Sequence, residues 1–189
     1  GVVPVKNLEM LDENIKICLN VTKALSKKEI SHLVYISSDA VYDDSKNLIS
    51  EKSNTNPDNL HGIMHLLREN ILKQQFKNKL CIVRPTLIYG LKDTHSGYGP
   101  NLFYKLAKIN KSINLYGKGE ELRDHISIYD VTAIIITIIQ RKGVGIINAV
   151  SGKVISFMDI AKNTKYNLKN KKISINYLKR LGPMPHNGY

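Results

Sequence analysis

Three groups of polar side chains have the residue types and spacings that proton transfer and ligand binding require. The run Ser37–Asp39 directly follows a short apolar segment and ends it in hydroxyl and carboxyl groups. His61 and His65 are four residues apart, so in a helix they share one face. An imidazole titrates at a pKa of about 6.5 and can therefore carry a proton at neutral pH. Arg123 offers a guanidinium fork, which suits the oxygens of a phosphate.

An alternation of helices and buried strands must position these groups. The apolar spacing predicts a helix at Leu8–Leu25, and we expect a second helix at about Asn59–Gln75. Short runs rich in β-branched residues, His32–Ser37 and Leu80–Val83, predict strands that are buried on both faces. This alternation is typical of a parallel α/β sheet, in which ligands bind beyond the carboxyl ends of the strands. We therefore expect Ser38 at that edge, although a serine there can also simply cap the turn.

The second half of the chain predicts further helices and strands, with a turn at Gly117–Gly119. A helix over Tyr129–Gln140 is apolar on almost every side and should be buried, with Asp130 at its start. The other predicted elements are a helix at Asn101–Ile109, strands at Ile113–Tyr116, Ile146–Ala149 and Ile173–Leu178, and a helix capped by Ser156.

Composition limits the class of protein. Hydrophobic residues make up 42% and charged residues 23%, which is typical of a globular chain. No apolar run approaches the roughly 20 residues of a membrane-spanning helix, so we expect no membrane contact. Cys18 and Cys81 are the two cysteines, too few for a disulfide framework or a Cys-based zinc site. Gly1–Pro4 shows no signal peptide, so we expect a cytoplasmic protein.

The formal net charge of +12 does not by itself indicate a nucleic-acid partner. The charge comes mainly from lysines that are scattered along the chain, whereas a dedicated binder carries a basic stripe, usually with arginine. We expect solvated surface charge and no nucleic acid. The competing hypothesis predicts a strongly salt-dependent affinity for DNA or RNA.

Several short motifs occur in an order that one known family shares. They are Ser37–Tyr42, Glu51 with Pro57, His61–Glu69, Arg84–Gly90, Gly117–Asp124 and Asp130–Val131, with Asn14 on the helix before the first of them. In this order the chain resembles the extended short-chain dehydrogenase/reductase family, the NAD-dependent epimerase/dehydratases that act on nucleotide sugars. The resemblance implies an α/β fold with a doubly wound parallel sheet of the Rossmann type, here incomplete, and a small C-terminal substrate-binding subdomain.

The resemblance also implies a division of the chain. Residues 1–90 would form the C-terminal part of the NAD(P)-binding Rossmann domain. Residues 91–189 would form a substrate-binding subdomain that is interleaved with the last sheet elements. The family's Gly-rich dinucleotide loop would lie before Gly1, and the chain enters in a loop before a helix. We therefore expect an N-terminally truncated fragment, and the choice between NAD and NADP stays open.

Site residues follow from the resemblance, position by position. Ser38 would hydrogen-bond the reacting oxygen, and the predicted catalytic group also includes His61 and His65. The residues expected to contact the dinucleotide are Ser37, Pro85, Leu87 and His65. The residues expected to contact the substrate are Asp39, Asn101 and Arg123, with Arg123 on the diphosphate. Two alternatives remain, because Asp39 can instead cap the turn and Arg123 can instead pair with a neighbouring carboxylate. His125 can face either side.

The catalytic pair departs from the family pattern. His61 stands where the family has its acid/base tyrosine, and His65 stands where it has the lysine that lowers the tyrosine's pKa. An imidazole can shuttle a proton without that lysine, so His61 can replace the phenol. The alternative is that hydride chemistry has been lost. A third alternative, a metal, is disfavoured because zincins need a glutamate where Gly62 stands, although Glu69 could ligate; we expect no metal.

The residue after Asp39 separates the family's reactions. Related 4,6-dehydratases carry Asp-Glu there, whereas this chain has Ala40, which cannot remove a proton. We therefore expect an NAD(P)-dependent epimerase or reductase of a nucleotide-linked sugar or related polyol. The competing hypothesis is a non-catalytic dinucleotide-binding sensor or scaffold. A homodimer through the helices of Asn14 and His61 is also expected, with Met64 and Leu67 exposed.

Overall fold

A computed structural model describes residues 5–43, 48–93, 97–169 and 172–182 of the chain. In chain order its elements are α1 (Leu8–Ser26), β1 (Leu33–Ile36), α2 (Leu60–Phe76), β2 (Leu80–Pro85), β3 (Leu87–Tyr89), α3 (Pro100–Lys108), β4 (Ile113–Tyr116), β5 (Leu122–Ser127), α4 (Ile128–Arg141), β6 (Gly145–Ala149), β7 (Val154–Ser156), α5 (Phe157–Asn167) and β8 (Ile175–Leu178). Short 3₁₀ helices lie at Asp39–Val41 and Lys77–Lys79. The elements divide into two compact units.

The first unit is built on a parallel sheet and takes the described residues up to 43, 49–86 and 129–149. Its described strands lie in the order β1-β2-β6, with Ile36 opposite Val83 and Val83 opposite Ile147. The six residues of β2, the central strand, are all buried. Because both pairings are parallel, the carboxyl ends of the three strands meet at one edge. The predicted α/β class with a parallel sheet is confirmed.

Helices α1 and α2 share a core with the first two strands of this sheet. Both helices begin at an asparagine whose side chain accepts a backbone N–H, Asn7 from Met10 at 2.9 Å and Asn59 from Gly62 at 3.0 Å. The core residues that they share with β1 and β2 are Cys18, Tyr35, Leu72, Phe76, Leu80 and Ile82. The predicted helices at Leu8 and Asn59 are confirmed, and this packing fixes α2 beside the sheet edge.

Burial differs from the prediction in two elements of this unit. Ile36 in β1 is 40% exposed, although the strand was expected to be buried on both faces. The reason is that β1 lies at the edge of the sheet formed by the described residues. Helix α4 was expected to be buried almost all round, yet Ile136 is 49% and Ile139 is 54% exposed. Among the described residues of α4, only Val131 and Ile138 are buried. They lie two turns apart on the same side of the helix, so only a narrow stripe of α4 is covered.

The second unit combines short strands with two helices and takes the described residues 48, 87–128 and from 150 onwards. β5 lies parallel to β3 and antiparallel to β7, while β4 and β8 form a separate parallel pair. Its buried core, which draws mainly on α3, β4 and α5, consists of Phe103, Ala107, Ile113, Leu115, Phe157, Ile160, Ala161 and Ile173. The turn after β4 needs glycine, because Gly117 and Gly119 have φ of 60° and 71°.

Residues 129–149 belong to the first unit, so the chain leaves that unit after residue 86 and returns to it at residue 129. Which unit serves a cofactor and which a substrate stays a prediction at this point. Over the ranges described above, no helix is both long enough and apolar enough to cross a membrane.

Candidate functional site

The two serines after β1 have different surroundings. Ser37 is buried; its N–H donates to the Val83 carbonyl at 2.7 Å and its hydroxyl donates to Glu69 Oε1 at 2.7 Å. Ser38 caps the short 3₁₀ helix, since its Oγ accepts from the Ala40 N–H at 3.1 Å. The Ser38 hydroxyl donates to Asp39 Oδ1, also at 3.1 Å. Ser38 therefore lies just beyond the carboxyl end of β1, where the sequence predicted it, and also fulfils the alternative of a turn cap.

The first turn of α2 lies against this same 3₁₀ helix. At Gly62, an added Cβ would stand 2.1 Å from the Ala40 carbonyl oxygen and 2.5 Å from Pro57 Cβ. Any side chain there would therefore push the helix and the turn apart. His61 precedes this glycine, so the close approach of Gly62 fixes the position of His61 relative to the turn that Ser38 caps.

His61 and His65 meet on one face of α2, as their spacing predicted. Their rings are edge-to-face, with centroids 4.7 Å apart and an interplanar angle of 86°. The Val5 N–H donates to His61 Nδ1 at 3.4 Å, so the neutral His61 ring carries its proton on Nε2. His65 Nδ1 is buried and has no hydrogen-bond partner among the residues that the structure describes.

Both rings are held in the neutral form. Burial lowers the pKa of His61, and the negative charge of Asp39 only partly offsets this. For His65, burial together with the nearby His61 and Arg68 lowers the pKa to about 4. At neutral pH, His65 therefore cannot supply the fixed positive charge of the lysine that it replaces.

A buried carboxylate joins α2 to the sheet. Glu69 is fully buried and accepts from Arg84 Nε at 2.9 Å and from Arg84 Nη2 at 2.7 Å. It also accepts from Ser37 and, at 3.2 Å, from Lys73 Nζ. Burial alone would raise the pKa of Glu69, but these donors, Arg84 above all, hold it below its usual value. Both oxygens of Glu69 are therefore occupied by hydrogen bonds from Arg84, Lys73 and Ser37.

The Arg84 guanidinium extends this network towards the loop after β1. It lies 4.8 Å from the centre of the Tyr42 ring, and the Tyr42 hydroxyl donates to Asn148 Oδ1 at 2.6 Å. The Asn148 N–H in turn donates to Glu51 Oε1 at 2.9 Å and lowers the pKa of that carboxyl. Sequence reasoning missed these contacts, although Tyr42, Glu51 and Arg84 all lie within its motifs.

In the described ranges, no group of three or more His, Cys, Asp or Glu residues could hold a metal ion. At His61 and His65, the reason is that Glu69 is not available as a third ligand. Its two oxygens are already taken by Arg84, Ser37 and Lys73.

The remaining predicted residues divide between the units. Pro85 ends β2 in the first unit, whereas Leu87 begins β3 in the second, opposite His125 on β5. Asn101 lies in the first turn of α3, where its side chain accepts from the Gly90 N–H at 3.1 Å and donates to Asp93 Oδ2 at 2.8 Å. The Asn101 amide therefore ties the loop that contains Gly90 and Asp93 to α3.

Arg123 lies on β5 and is buried, with 8% of the residue exposed. Its side chain is not without a partner within the chain. Its neighbour Asp124 accepts from the Ser151 N–H at 2.9 Å, the Ser151 hydroxyl at 3.0 Å and the Lys153 N–H at 3.1 Å. Asp124 thus organises the turn before β7.

The sequence matches the model of one known protein family. The model of the NAD dependent epimerase/dehydratase family matches residues 4–149, well over half of the chain.

Solved structures with the same fold belong to nucleotide-sugar enzymes. UDP-glucuronic acid 4-epimerase from Bacillus cereus, in complex with UDP-glucuronic acid and NAD, is 21% identical with a TM-score of 0.82; the match covers 93% of this chain and 57% of that one. UDP-N-acetylglucosamine 4-epimerase from Methanobrevibacter ruminantium is 23% identical with a TM-score of 0.82, over 91% and 58%. dTDP-glucose 4,6-dehydratase from Bacillus anthracis, in complex with NAD, is 18% identical with a TM-score of 0.80, over 95% and 60%. The chain thus spans somewhat over half the length of these proteins.

Proposed function

Because the chain belongs to the NAD dependent epimerase/dehydratase family, we propose that its protein is an NAD(P)-dependent epimerase or reductase of a nucleotide-linked sugar or related polyol. The observation that carries the proposal is the packing of α2, through Gly62, on the 3₁₀ helix that Ser38 caps. This packing holds a hydroxyl at a strand end and the imidazole of His61 on adjoining turns. The epimerases of similar fold, solved with NAD or a UDP-sugar, support the substrate class.

Four residues would contact the dinucleotide, which when bound takes a hydride from a sugar carbon and returns it. They are Ser37, Pro85, Leu87 and His65. The orphaned Nδ1 of His65 fits this role, because a ribose hydroxyl would satisfy it. Ser37 would contribute through its backbone, since its hydroxyl is bound to Glu69. Neutral His65 can orient the ribose without adding charge.

Ser38 and His61 would act on the reacting oxygen. The Ser38 hydroxyl turns its proton from Asp39 to the sugar oxygen, while its own oxygen still accepts from Ala40. His61 would take the proton of the sugar hydroxyl when the sugar is oxidised and would return it when the sugar is reduced again. His61 must then offer a lone pair at Nε2, so its resident proton moves to Nδ1 and the Val5 contact is given up. That contact is long at 3.4 Å, so little is lost.

Asp39, Asn101 and Arg123 would contact the substrate. In the second unit, Arg123 and the backbone of Asn101 at the start of α3 suit a diphosphate, since guanidinium groups and helix N-termini both favour anions. In the first unit, Asp39 would accept a sugar hydroxyl once Ser38 releases it. Ala40 provides no base for the removal of a carbon-bound proton, which favours epimerisation or reduction over dehydration.

A non-catalytic dinucleotide-binding role is the second candidate, and the histidine pair favours it. His65 is uncharged at neutral pH, and the Val5 contact favours the His61 tautomer that carries its proton on Nε2 and cannot accept another there. A protein with this geometry can bind dinucleotide and nucleotide sugar and signal their presence through a partner.

We also propose a cytoplasmic homodimer. Free, buried Cys18 and Cys81 suit a reducing compartment. Exposed apolar side chains on α1 and α2 would supply a dimer face, with Ile17 57% and Leu67 42% exposed. The expectation for Met64 is wrong, because it is 3% exposed and belongs to the interior.

The test uses the full-length protein that carries this chain. It is incubated with NAD(P) and UDP-glucose, UDP-glucuronic acid or UDP-N-acetylglucosamine, and the sugars are followed by NMR. The proposal predicts a new sugar that disappears with Ser38→Ala. Binding of dinucleotide and UDP-sugar with no product across the panel supports the non-catalytic role. No binding of dinucleotide contradicts both.

A further inference from the structure

His125 is a buried histidine of β5 whose hydrogen-bonding state is set by its own strand. Only 9% of the residue is exposed, and its Nδ1 lies 3.2 Å from the Arg123 carbonyl oxygen. A carbonyl only accepts, so Nδ1 carries the proton of the neutral ring. The other nitrogen, Nε2, then has a lone pair and no proton. His125 therefore presents a hydrogen-bond acceptor at Nε2.

This acceptor is unsatisfied. Nε2 is buried and finds no partner among the described residues. A buried polar atom without a partner is destabilising, and in native proteins such an atom calls for an explanation. The ring is held in place by Phe157 of α5, edge-to-face at 5.7 Å and 86°. The orientation of Nε2 is thus fixed before any ligand arrives.

Gly99 lies directly beside this nitrogen. An added Cβ at Gly99 would lie 3.5 Å from His125 Nε2 and 3.3 Å from Phe157 Cε1. Gly99 also has φ of 125°, a conformation that favours glycine. The residue directly precedes α3, whose start has no side-chain cap in the described part of the chain. Donor N–H groups of the first turn of α3 and the acceptor Nε2 therefore lie in one neighbourhood.

We propose that His125 is a specificity-determining residue whose Nε2 accepts a hydrogen bond from an O–H or N–H group of the bound nucleotide sugar. This role rests on the proposed function, and it adds one more residue that contacts the same substrate. An acceptor at this position favours a hydroxyl or an imide N–H, and it disfavours a carboxylate or phosphate oxygen at that point. The donor belongs either to the nucleoside or to the sugar.

Three substitutions in the full-length protein separate the roles of the ring. His125→Asn keeps an N–H in the place of Nδ1 and removes Nε2. His125→Gln keeps a polar atom in the place of Nε2, and His125→Phe keeps only the ring packing on Phe157. Calorimetry then measures the affinities for UDP-glucose, UDP and inorganic pyrophosphate, with NAD(P) binding as the control for the fold.

Loss of the acceptor should weaken UDP-glucose binding by about 5- to 100-fold in the Asn and Phe variants, the range for an unmade buried hydrogen bond. The Gln variant should stay within a few-fold of the wild type, and pyrophosphate should be unaffected. An equal loss for UDP assigns the donor to the nucleoside, and a loss for UDP-glucose alone assigns it to the sugar.

Two results overturn the inference, and they are distinguishable. If the wild type binds UDP-glucose and the Asn and Phe variants bind it equally well, His125 does not read the substrate, while the proposed function stands. If the wild type binds none of the UDP ligands, the proposed substrate class fails and the inference fails with it. Should the variants lose the fold, NMR of wild-type protein with isotope-labelled histidine decides. The Nε2 resonance must shift on addition of UDP-glucose, and an unchanged resonance contradicts the inference.

Discussion

The substitution Glu69→Gln tests the buried ion pair that joins α2 to the sheet. The Glu69 carboxylate is fully buried and its bidentate partner Arg84 is 2% exposed. Glutamine keeps the shape but removes the charge, and its amide N–H₂ faces donors that need an acceptor. Removal of one partner from a buried pair costs about 3–5 kcal/mol. Because the amide keeps one acceptor oxygen, we expect a loss of about 3 kcal/mol in the free energy of unfolding.

Urea unfolding of the full-length protein, followed by circular dichroism at neutral pH, measures this loss. Asp12→Asn is the matched control, because the pair of Asp12 with Lys16 has side chains that are 59% and 68% exposed and should contribute little to stability. Since the pKa of Glu69 is lowered in the folded state, its contribution is present above the unfolded value of 4.5 and is lost as the pH falls below it. A Gln variant within about 0.5 kcal/mol of the wild type would refute the reasoning.

Three further predictions follow from the site. Gly62→Ala should destabilise the protein by about 1–3 kcal/mol and lower turnover, because the new Cβ collides with the Ala40 carbonyl. Urea unfolding and the activity assay measure both effects. Gly97→Ala is the control, because a Cβ at Gly97 meets nothing within 4 Å. Tyr42→Phe should lower the free energy of unfolding by about 1–2 kcal/mol through loss of the hydrogen bond to Asn148, and an unchanged urea midpoint would contradict this. If His61 is the base, kcat/KM should fall as the pH drops through the lowered pKa of His61, below 6.5; an acid limb centred above that value points to another group.

Elements with local signals could be predicted from the sequence. Helices α1 and α2 begin within a residue of where they were predicted, and for α1 the signal was a regular apolar spacing, which is a local feature. Strands β3, β5 and β7 were missed, since β3 and β7 have only three residues and β5 places three polar residues in a row, Arg123 to His125. The burial of α4 was predicted wrongly because composition gives a tendency, whereas burial depends on which neighbours cover each face.

The candidate site also contains features that a local sequence pattern predicts and others that it does not. The shared face of His61 and His65 depends on a spacing within one helix, so it was predictable. The contacts of Glu69 join Ser37 and Arg84, which are 32 and 15 residues away in the chain, and no local pattern reports them. The buried state of His125 had no sequence signal either, because a histidine in a strand can face either side. The roles of Ser38, Asn101 and Arg123 towards ligands remain predictions.

The central claim is that an imidazole does the work of the family's phenol, and the turnover of full-length His61→Ala tests it most directly. The measurement is kcat with NAD(P) and whichever UDP-sugar the wild type converts. We expect a loss of about 100-fold or more, the range for a general acid–base group. We also expect that His61→Tyr fails to restore turnover, since without a lysine at position 65 the phenol keeps a pKa of about 10. An Ala variant that turns over as fast as the wild type would contradict the claim.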